Sequence, residues 1–528
     1  MQMASGKAQR LSIVVILILA FLLYNVFLMQ LFGRRARIIL VVVAASISLI
    51  FLLTGSSFRI YLIFIISLPL TATFVIDIGF TIKPSFILLL LLIFVMLASR
   101  EIWYSRSPLD NAVLIFLGVC ALSITQTIIY PPPYIEFVGA MRYRGTWFRS
   151  IIQLALLCFF TLSYFFTVHI CGNDRKRLNT TLKVYIVVAI IVSSYGIYQA
   201  FATHFDLPLK NVTNAMKTGG MGHGGVFADV PFRDYRSQST FGEPLGFGEY
   251  ILSVLPFLMA FGSVTGYYID LERRSWGTKI SLSLIICLLF IAMFMSRSRG
   301  PLAGFTASIF VMIILLRHRH LPRFISCFII PLIILSVFYS LGTKFLGLSG
   351  DILEVLRFRT FFIGAEETEG IGDLLIAKGG PKTYAYFHLT PMMFVKHPVL
   401  GVGIGNSPLH LAAILGVRTV IPILYGLWCN ILVETGVLGF AAFLWLVFTY
   451  YRVMIRTLRR VRGTHWAPYI IGYMASFTGL VVTLQFHGDI KIGMYIWFFL
   501  GLSMATVRII DSELQQILTQ NSQQVRTE

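Results

Sequence analysis

Apolar runs of about the length needed to cross a bilayer recur from one end of the chain to the other, with polar residues gathered into the gaps. A helix rises about 1.5 Å per residue, so roughly 20 apolar residues span a hydrocarbon layer about 30 Å thick. Such runs read at 11–32, 38–54, 59–77, 84–98, 109–129, 150–170, 182–203, 248–268, 279–295, 302–316, 324–342, 426–449, 467–486 and 491–508. In lipid a backbone must satisfy its own N–H and C=O groups, so the pattern predicts an all-α polytopic membrane protein of about 12 to 14 transmembrane helices. The first run, Leu11 to Phe32, follows Lys7 and Arg10 and precedes no small-residue cleavage site, which predicts a retained span.

Two intervals break the pattern, 204–247 and 343–425, and both carry Gly, Pro, Asn, His and charged residues. They divide the chain into N-terminal spans (1–203), a first long loop (204–247), central spans (248–342), a large loop (343–425), C-terminal spans (426–510) and a polar tail (511–528) that reads as a short helix or an unstructured end. Aromatic and turn residues together favour folded loops.

Of the 528 residues 57% are hydrophobic and 12% charged, against about a quarter charged in ordinary soluble domains. The net charge of +20 sits in short clusters beside apolar runs, the placement expected from the positive-inside rule and anionic headgroups, and not a nucleic-acid surface. The richest clusters are Arg452, Arg456, Arg459, Arg460 and Arg462; Arg317, Arg319 and Arg323; and Arg175, Lys176 and Arg177. Placing all three inside puts both termini in the cytoplasm and both long loops outside. Arg34, Arg35 and Arg37 then fall outside, so either the first hairpin is tightly packed or one early segment does not span. The six cysteines lie in or beside apolar runs with no CxxC, a pattern that favours neither disulfides nor structural zinc.

Candidate chemistry collects on the predicted outer side. Met295-Ser-Arg-Ser-Arg-Gly-Pro301 joins two short runs, which holds Arg297 and Arg299 at the interface, where a guanidinium is suited to bidentate phosphate capture. Snorkelling to headgroups or a structural ion pair is the bland alternative. Phe232 to Pro244 brings Arg233, Arg236 and Glu243 next to a span. Lys396-His-Pro-Val-Leu-Gly-Val-Gly-Ile-Gly-Asn406 has three alternate glycines that suit a turn presenting amides to an anion; its spacing excludes a dinucleotide fingerprint. His388, His397 and His410 lack carboxylate or cysteine partners at ligand spacing, so no metal is expected. Glu434 falls about one turn inside a span, with Gly436 and Gly439 permitting close packing, and His487 and Asp489 lie in a later turn; the group offers acid/base chemistry or structural ion pairing.

The order of these features resembles the O-antigen ligase and O-antigen polymerase superfamily of bacterial surface-polysaccharide enzymes. The resemblance rests on Ser239-Thr-Phe-Gly-Glu-Pro244, Ser298-Arg299-Gly300, His397 to Asn406, and Asn430 through Glu434-Thr-Gly-Val-Leu-Gly439, over roughly residues 230–490. It implies a bacterial inner-membrane, metal-independent and cofactor-free glycosyltransferase with a polyprenyl-diphosphate-linked glycan donor, a sugar acceptor, and export and chain-length proteins as partners. It also implies diphosphate binding by Arg236 and Arg299; the basic residue that the family carries some way before His397-Pro is altered here, with Lys382 the nearest candidate for that role. Substrate binding is expected at Glu243, Asn406 and Asn430, and Glu434 or His487 is expected to take the proton of the incoming hydroxyl. Ligases of the family carry a catalytic His before the last Asn, where this chain has Cys429, a thiol ill suited to replace imidazole near neutral pH. That departure favours a polymerase of repeat units over a ligase acting on lipid A core or protein. A transporter is the alternative from another class, though the lopsided placement of polar loops is unlike paired transporter halves.

Overall fold

The computed structural model describes residues 57–73, 76–77, 81–98, 106–131, 146–205, 207–210, 236–268, 276–316, 388–415, 424, 426–486 and 493–527, with isolated positions between 321 and 333. Their regular structure is helical apart from an antiparallel ladder of two residues a side, β1 (Ile76–Asp77) with β2 (Thr81–Ile82). In chain order the helices are α1 (Ser57–Ser67), α2 (Pro84–Ala98), α3 (Asp110–Ile129), α4 (Thr146–Cys171), α5 (Arg175–His204), α6 (Pro244–Tyr268), α7 (Trp276–Met295) and α8 (Arg299–Leu315). The short α9 (Thr390–Lys396) and α10 (Ser407–Leu415) precede α11 (Leu427–Val461), α12 (Ala467–Thr483) and α13 (Met494–Thr527). Seven helices among the described residues are long and apolar enough to cross a membrane: α3, α4, α5, α6, α11, α12 and α13.

Local sequence explains most boundaries. The run at 59–77 ends as helix at Ser67 because Pro69 lacks an amide hydrogen and disfavours helical geometry at Leu68. Asp174 starts α5 as its N-cap, accepting hydrogen bonds from the amides of Lys176 and Arg177. Helix α11 overruns its apolar stretch to Val461, with Arg452, Arg456 and Arg459 continuing it, since arginine is a good helix former. The polar tail likewise continues α13 as helix to Thr527. The predicted spans 11–32 and 38–54, and most of 324–342, lie outside the described residues.

The most extensive packing joins α8 to α12, α12 to α6, and α13 to α4. Between α8 and α12 the backbones come close at Gly304 and Gly479. A Cβ at Gly304 would lie 2.3 Å from the Gly479 carbonyl oxygen, and one at Gly479 would lie 2.3 Å from Ser308 Oγ. Hydroxyls tie the same seam: Ser308 donates to the Ala475 carbonyl (2.8 Å) and Thr483 to the Gly300 carbonyl (3.1 Å). Small residues that admit close backbones, with hydroxyls bonding across, are how helices associate where no water drives them together.

The bundle has two chemically different ends. At one, Arg175 pairs with Glu513 (3.0 Å), Arg460 with Asp511 (2.7 Å), and Arg508 reaches the Arg106 carbonyl and Asn173. At the other lie the α7–α8 turn, the loop before α6, the segment 397–407 and the start of α11. Replacing Gly304 by Val should overpack the α8–α12 seam and destabilise the protein by about 1–3 kcal/mol, seen as a lower melting temperature in detergent; an unchanged melting temperature would show the seam to be loose.

Candidate functional site

The turn between α7 and α8 is only three residues long, Ser296 to Ser298. Arg297 adopts a left-handed backbone (φ 46°), its amide closing back on the Phe294 carbonyl at 2.9 Å. Ser298 precedes α8 in extended geometry, and its hydroxyl makes no cap to the helix. That hydroxyl instead accepts a 2.7 Å hydrogen bond from Arg236 Nη2, while Arg236 Nε approaches the Ser296 carbonyl at 3.5 Å. The structure therefore brings Arg236, Arg297 and Arg299 to one turn.

The loop carrying Arg236 is pinned from below. Ser237 donates its amide to the Met295 carbonyl (3.0 Å) and its hydroxyl to the Gly196 carbonyl (2.7 Å). Gln199, buried on α5, accepts the amides of Gln238 (3.2 Å) and Ser239 (2.8 Å) through its side-chain oxygen. Ser239 is itself left-handed (φ 52°) and sends its hydroxyl to the Val192 carbonyl. Glu243 sits just before α6 with its side chain exposed. The 3-10 turn Leu484–Phe486 covers the far side: a Cβ on Gly300 would lie 3.0 Å from Phe486 Cβ. Lys382, His487 and Asp489 lie outside the described residues.

A second cluster forms around the glycine loop. Gly401, Gly403 and Gly405 all have positive φ, and the loop pairs with α11 where that helix breaks at Gly436 (φ 64°). The Val402 amide bonds the Val433 carbonyl (2.8 Å), Gly403 the Glu434 carbonyl (3.0 Å), and Val437 the Pro398 carbonyl (2.8 Å). The predicted amide-lined turn thus has an anion within the chain. Glu434, 3% exposed, accepts the Gly405 amide at 2.8 Å, the Ser407 amide at 3.3 Å and the Ser407 hydroxyl at 2.6 Å. It stands seven residues into α11, about two turns rather than one. Gly436, expected as a helix-packing glycine, is the break itself, and a Cβ there would lie 2.3 Å from the Val399 carbonyl oxygen.

Asn406 and Asn430 join this network from either side. Asn406 donates to Thr127 (3.1 Å) and Ser150 (2.9 Å). Asn430 accepts from Ser407 Oγ (3.0 Å) and donates to the Leu424 and Gly426 carbonyls. Both are buried, so in this geometry they fix the backbone around Glu434. Arg149 adds a 2.7 Å bond to the Gly405 carbonyl.

His397 and His410 stand beside the loop with ring centroids 6.0 Å apart, His397 also against Tyr130 and 3.0 Å from the Gln126 amide nitrogen. Burial, with the neighbouring His397 and Lys396 charges, pushes His410 down from 6.5 to about 4; burial and Lys396 lower His397 as well.

The sequence reading missed Glu249. It lies in α6, buried, and accepts a 2.5 Å hydrogen bond from Tyr495 at the start of α13. A carboxylate inside an apolar run was the available signal.

Seven apolar helices of membrane-crossing length among the described residues, with a buried polar network gathered at one end, define a multi-pass membrane protein. Neither a protein-family model nor a curated protein matches the chain.

Removing the Glu434 carboxylate leaves the buried Gly405 and Ser407 amides without their acceptor, each costing about 1–3 kcal/mol when unsatisfied, while the Ser407 hydroxyl keeps Asn430. Glu434→Ala should therefore lower the melting temperature sharply and expose the 397–407 segment to proteolysis, whereas a purely catalytic carboxylate would leave both unchanged. A second expectation concerns pH. His410 is held below its unfolded value, so its contribution to stability is present above about pH 6.5 and is lost as pH falls toward about 4. His410→Phe should flatten the melting-temperature profile across that window; an unaltered profile would remove His410 as its source.

Proposed function

We propose that the chain is a glycan polymerase of the inverting type, joining polyprenyl-diphosphate-linked oligosaccharide repeat units at the outer face of a bacterial inner membrane. The observation that carries this reading is the meeting of Arg236 with the Ser298 hydroxyl at 2.7 Å, which sets it beside Arg299, the first residue of α8. Guanidinium groups at one interfacial turn suit the paired phosphates of a lipid carrier, which reach this depth without leaving the bilayer. The basic residues Arg175, Arg460 and Arg508 sit at the opposite end of the bundle, which supports a cytoplasmic assignment for that end.

In this mechanism an acceptor hydroxyl attacks the anomeric carbon of the donor glycan. The carbon–oxygen bond to phosphate breaks, and its electron pair leaves with the diphosphate, stabilised by Arg236 and Arg299. Lys382, from the large loop, adds a further cation. Glu434 holds the glycine loop through three donors, so its role is positional, and the hydroxyl proton passes to His487. His487 is the next residue in the sequence after Phe486, which packs against Gly300. Glu243 lies on the same loop as Arg236 and is placed to meet sugar hydroxyls. A ligase attaching finished glycan to another acceptor would use the same anion site, and the two part company in what accumulates on the carrier.

Arg299→Ala should abolish long-chain polysaccharide in cells while leaving the amount of protein in the membrane normal. Single repeat units on the lipid carrier are expected. Long polymer accumulating there would show a ligase instead, and unchanged chain length would remove Arg299 from the mechanism.

A further inference from the structure

We infer, independently of the glycan-transfer reading, that one face of α11 is a binding site for an anionic phospholipid. Arg452, Arg456 and Arg459 hold its phosphate, and its acyl chains lie along Trp445 and Phe448.

Helix geometry defines the face. Successive residues advance by about 100°, so positions recurring every three or four residues from 437 to 459 share a stripe about 120° wide. On the first part of that stripe Val437, Leu438, Leu444, Trp445 and Phe448 are all exposed, the last two by 49% and 57%. The opposite side of the helix, with Phe443, Tyr450 and Met454, is buried in the bundle. An open apolar stripe on a spanning helix is the one that meets acyl chains.

One turn past Phe448 the same stripe becomes basic. Arg452, Arg456 and Arg459 are exposed and occupy about 10 Å of helix, pointing outward in the direction of the lipid-facing residues before them. Other basic residues at this end are engaged: Arg175 by Glu513, Arg177 by Asp174, Arg460 by Asp511 and Arg508 by Asn173. The three on the stripe make no hydrogen bond or ion pair with another described residue. Their spacings of four and three residues set like charges side by side, which destabilises a helix unless an anion lies between them. Helix formation does not call for arginine here, since glutamine or leucine would continue α11 as well.

An acidic soluble partner would also meet three guanidinium groups. The continuity of the stripe favours a lipid, because the basic part follows directly on the Trp445–Phe448 pair, whose rings lie 6.0 Å apart. A tryptophan followed by arginines matches the passage from acyl chains to headgroups, and a guanidinium fork suits a phosphodiester. Only a ligand with phosphate at one end and hydrocarbon at the other covers both parts.

The test uses the full chain in bilayers and reads Trp445 fluorescence as the difference between wild type and W445F. Quenching by phosphatidylglycerol brominated on its acyl chains is compared with quenching by phosphatidylcholine brominated in the same way, at equal mole fraction. Wild type should select the anionic lipid by about tenfold, and high salt should weaken the selection. The triple variant R452Q/R456Q/R459Q should lose it, R452Q alone should lose part of it, and R462Q, exposed but past the end of the helix, should keep it. Equal quenching by the two lipids in wild type would overturn the inference. So would unchanged selection in both the triple variant and R452Q, or a loss in R462Q as large as in the triple variant.

Discussion

One buried carboxylate organises the polar end of this bundle. Glu434 is the point at which the glycine loop, the start of α10 and the broken helix α11 meet, and its two oxygens accept the Gly405 amide, the Ser407 amide and the Ser407 hydroxyl. A helix that breaks inside a membrane protein exposes backbone groups that lipid cannot satisfy. Here the break at Gly436 is closed by the loop itself, which exchanges backbone hydrogen bonds with Val433, Glu434 and Val437. The glycines are required because a Cβ at Gly401 would lie 2.4 Å from the Glu434 carbonyl carbon and one at Gly436 equally close to that of Val399. Backbone touching backbone at this spacing leaves room for hydrogen alone.

From that knot the two halves of the site follow. The loop carries Asn406 onto Thr127 and Ser150, which fixes α3 and α4, and the start of α11 carries Trp428 onto Gln485 in the turn after α12. That turn leans on Gly300, one residue beyond Arg299. A continuous set of contacts therefore links the carboxylate knot to the arginine turn without any one element spanning the distance.

Much of the helical framework is legible in the sequence, because a 20-residue apolar run admits few other structures in lipid. Helices α2 to α8 fall close to the apolar runs. The connections were harder to read. Arg236 meets Ser298 across 62 residues and Gly405 meets Glu434 across 29, and no local periodicity encodes such pairings. Gly436 inside an apolar run reads as a packing residue, and only its positive φ shows that the helix breaks there. Glu434 reads from the sequence as an acid/base candidate for the same reason that it makes a good anchor: burial makes a charge costly whichever purpose it serves. Glu249 passed unnoticed because its tyrosine partner lies 246 residues away.

The local rules that fail do so together. Among the described residues the left-handed non-glycine positions are Leu209, Ser239 and Arg297, and two of the three belong to the loop and turn that join Arg236 to Ser298. Ser298 stands at a helix N-cap, the position its hydroxyl suits best, and spends that hydroxyl on an arginine instead. The opposite end keeps the ordinary preferences, with Asp174 capping α5 and exposed arginines paired to Glu513 and Asp511. A fold that obeys local preference at one end and overrides it at the other has traded stability for placement where the override occurs, since strained geometry persists only when the surroundings over-determine it. Gln199 supplies that over-determination: its single side-chain oxygen holds the amides of both Gln238 and left-handed Ser239 from beneath. The strain therefore lies in the groups that aim the arginines, and the buried amide below them is what prevents its relaxation.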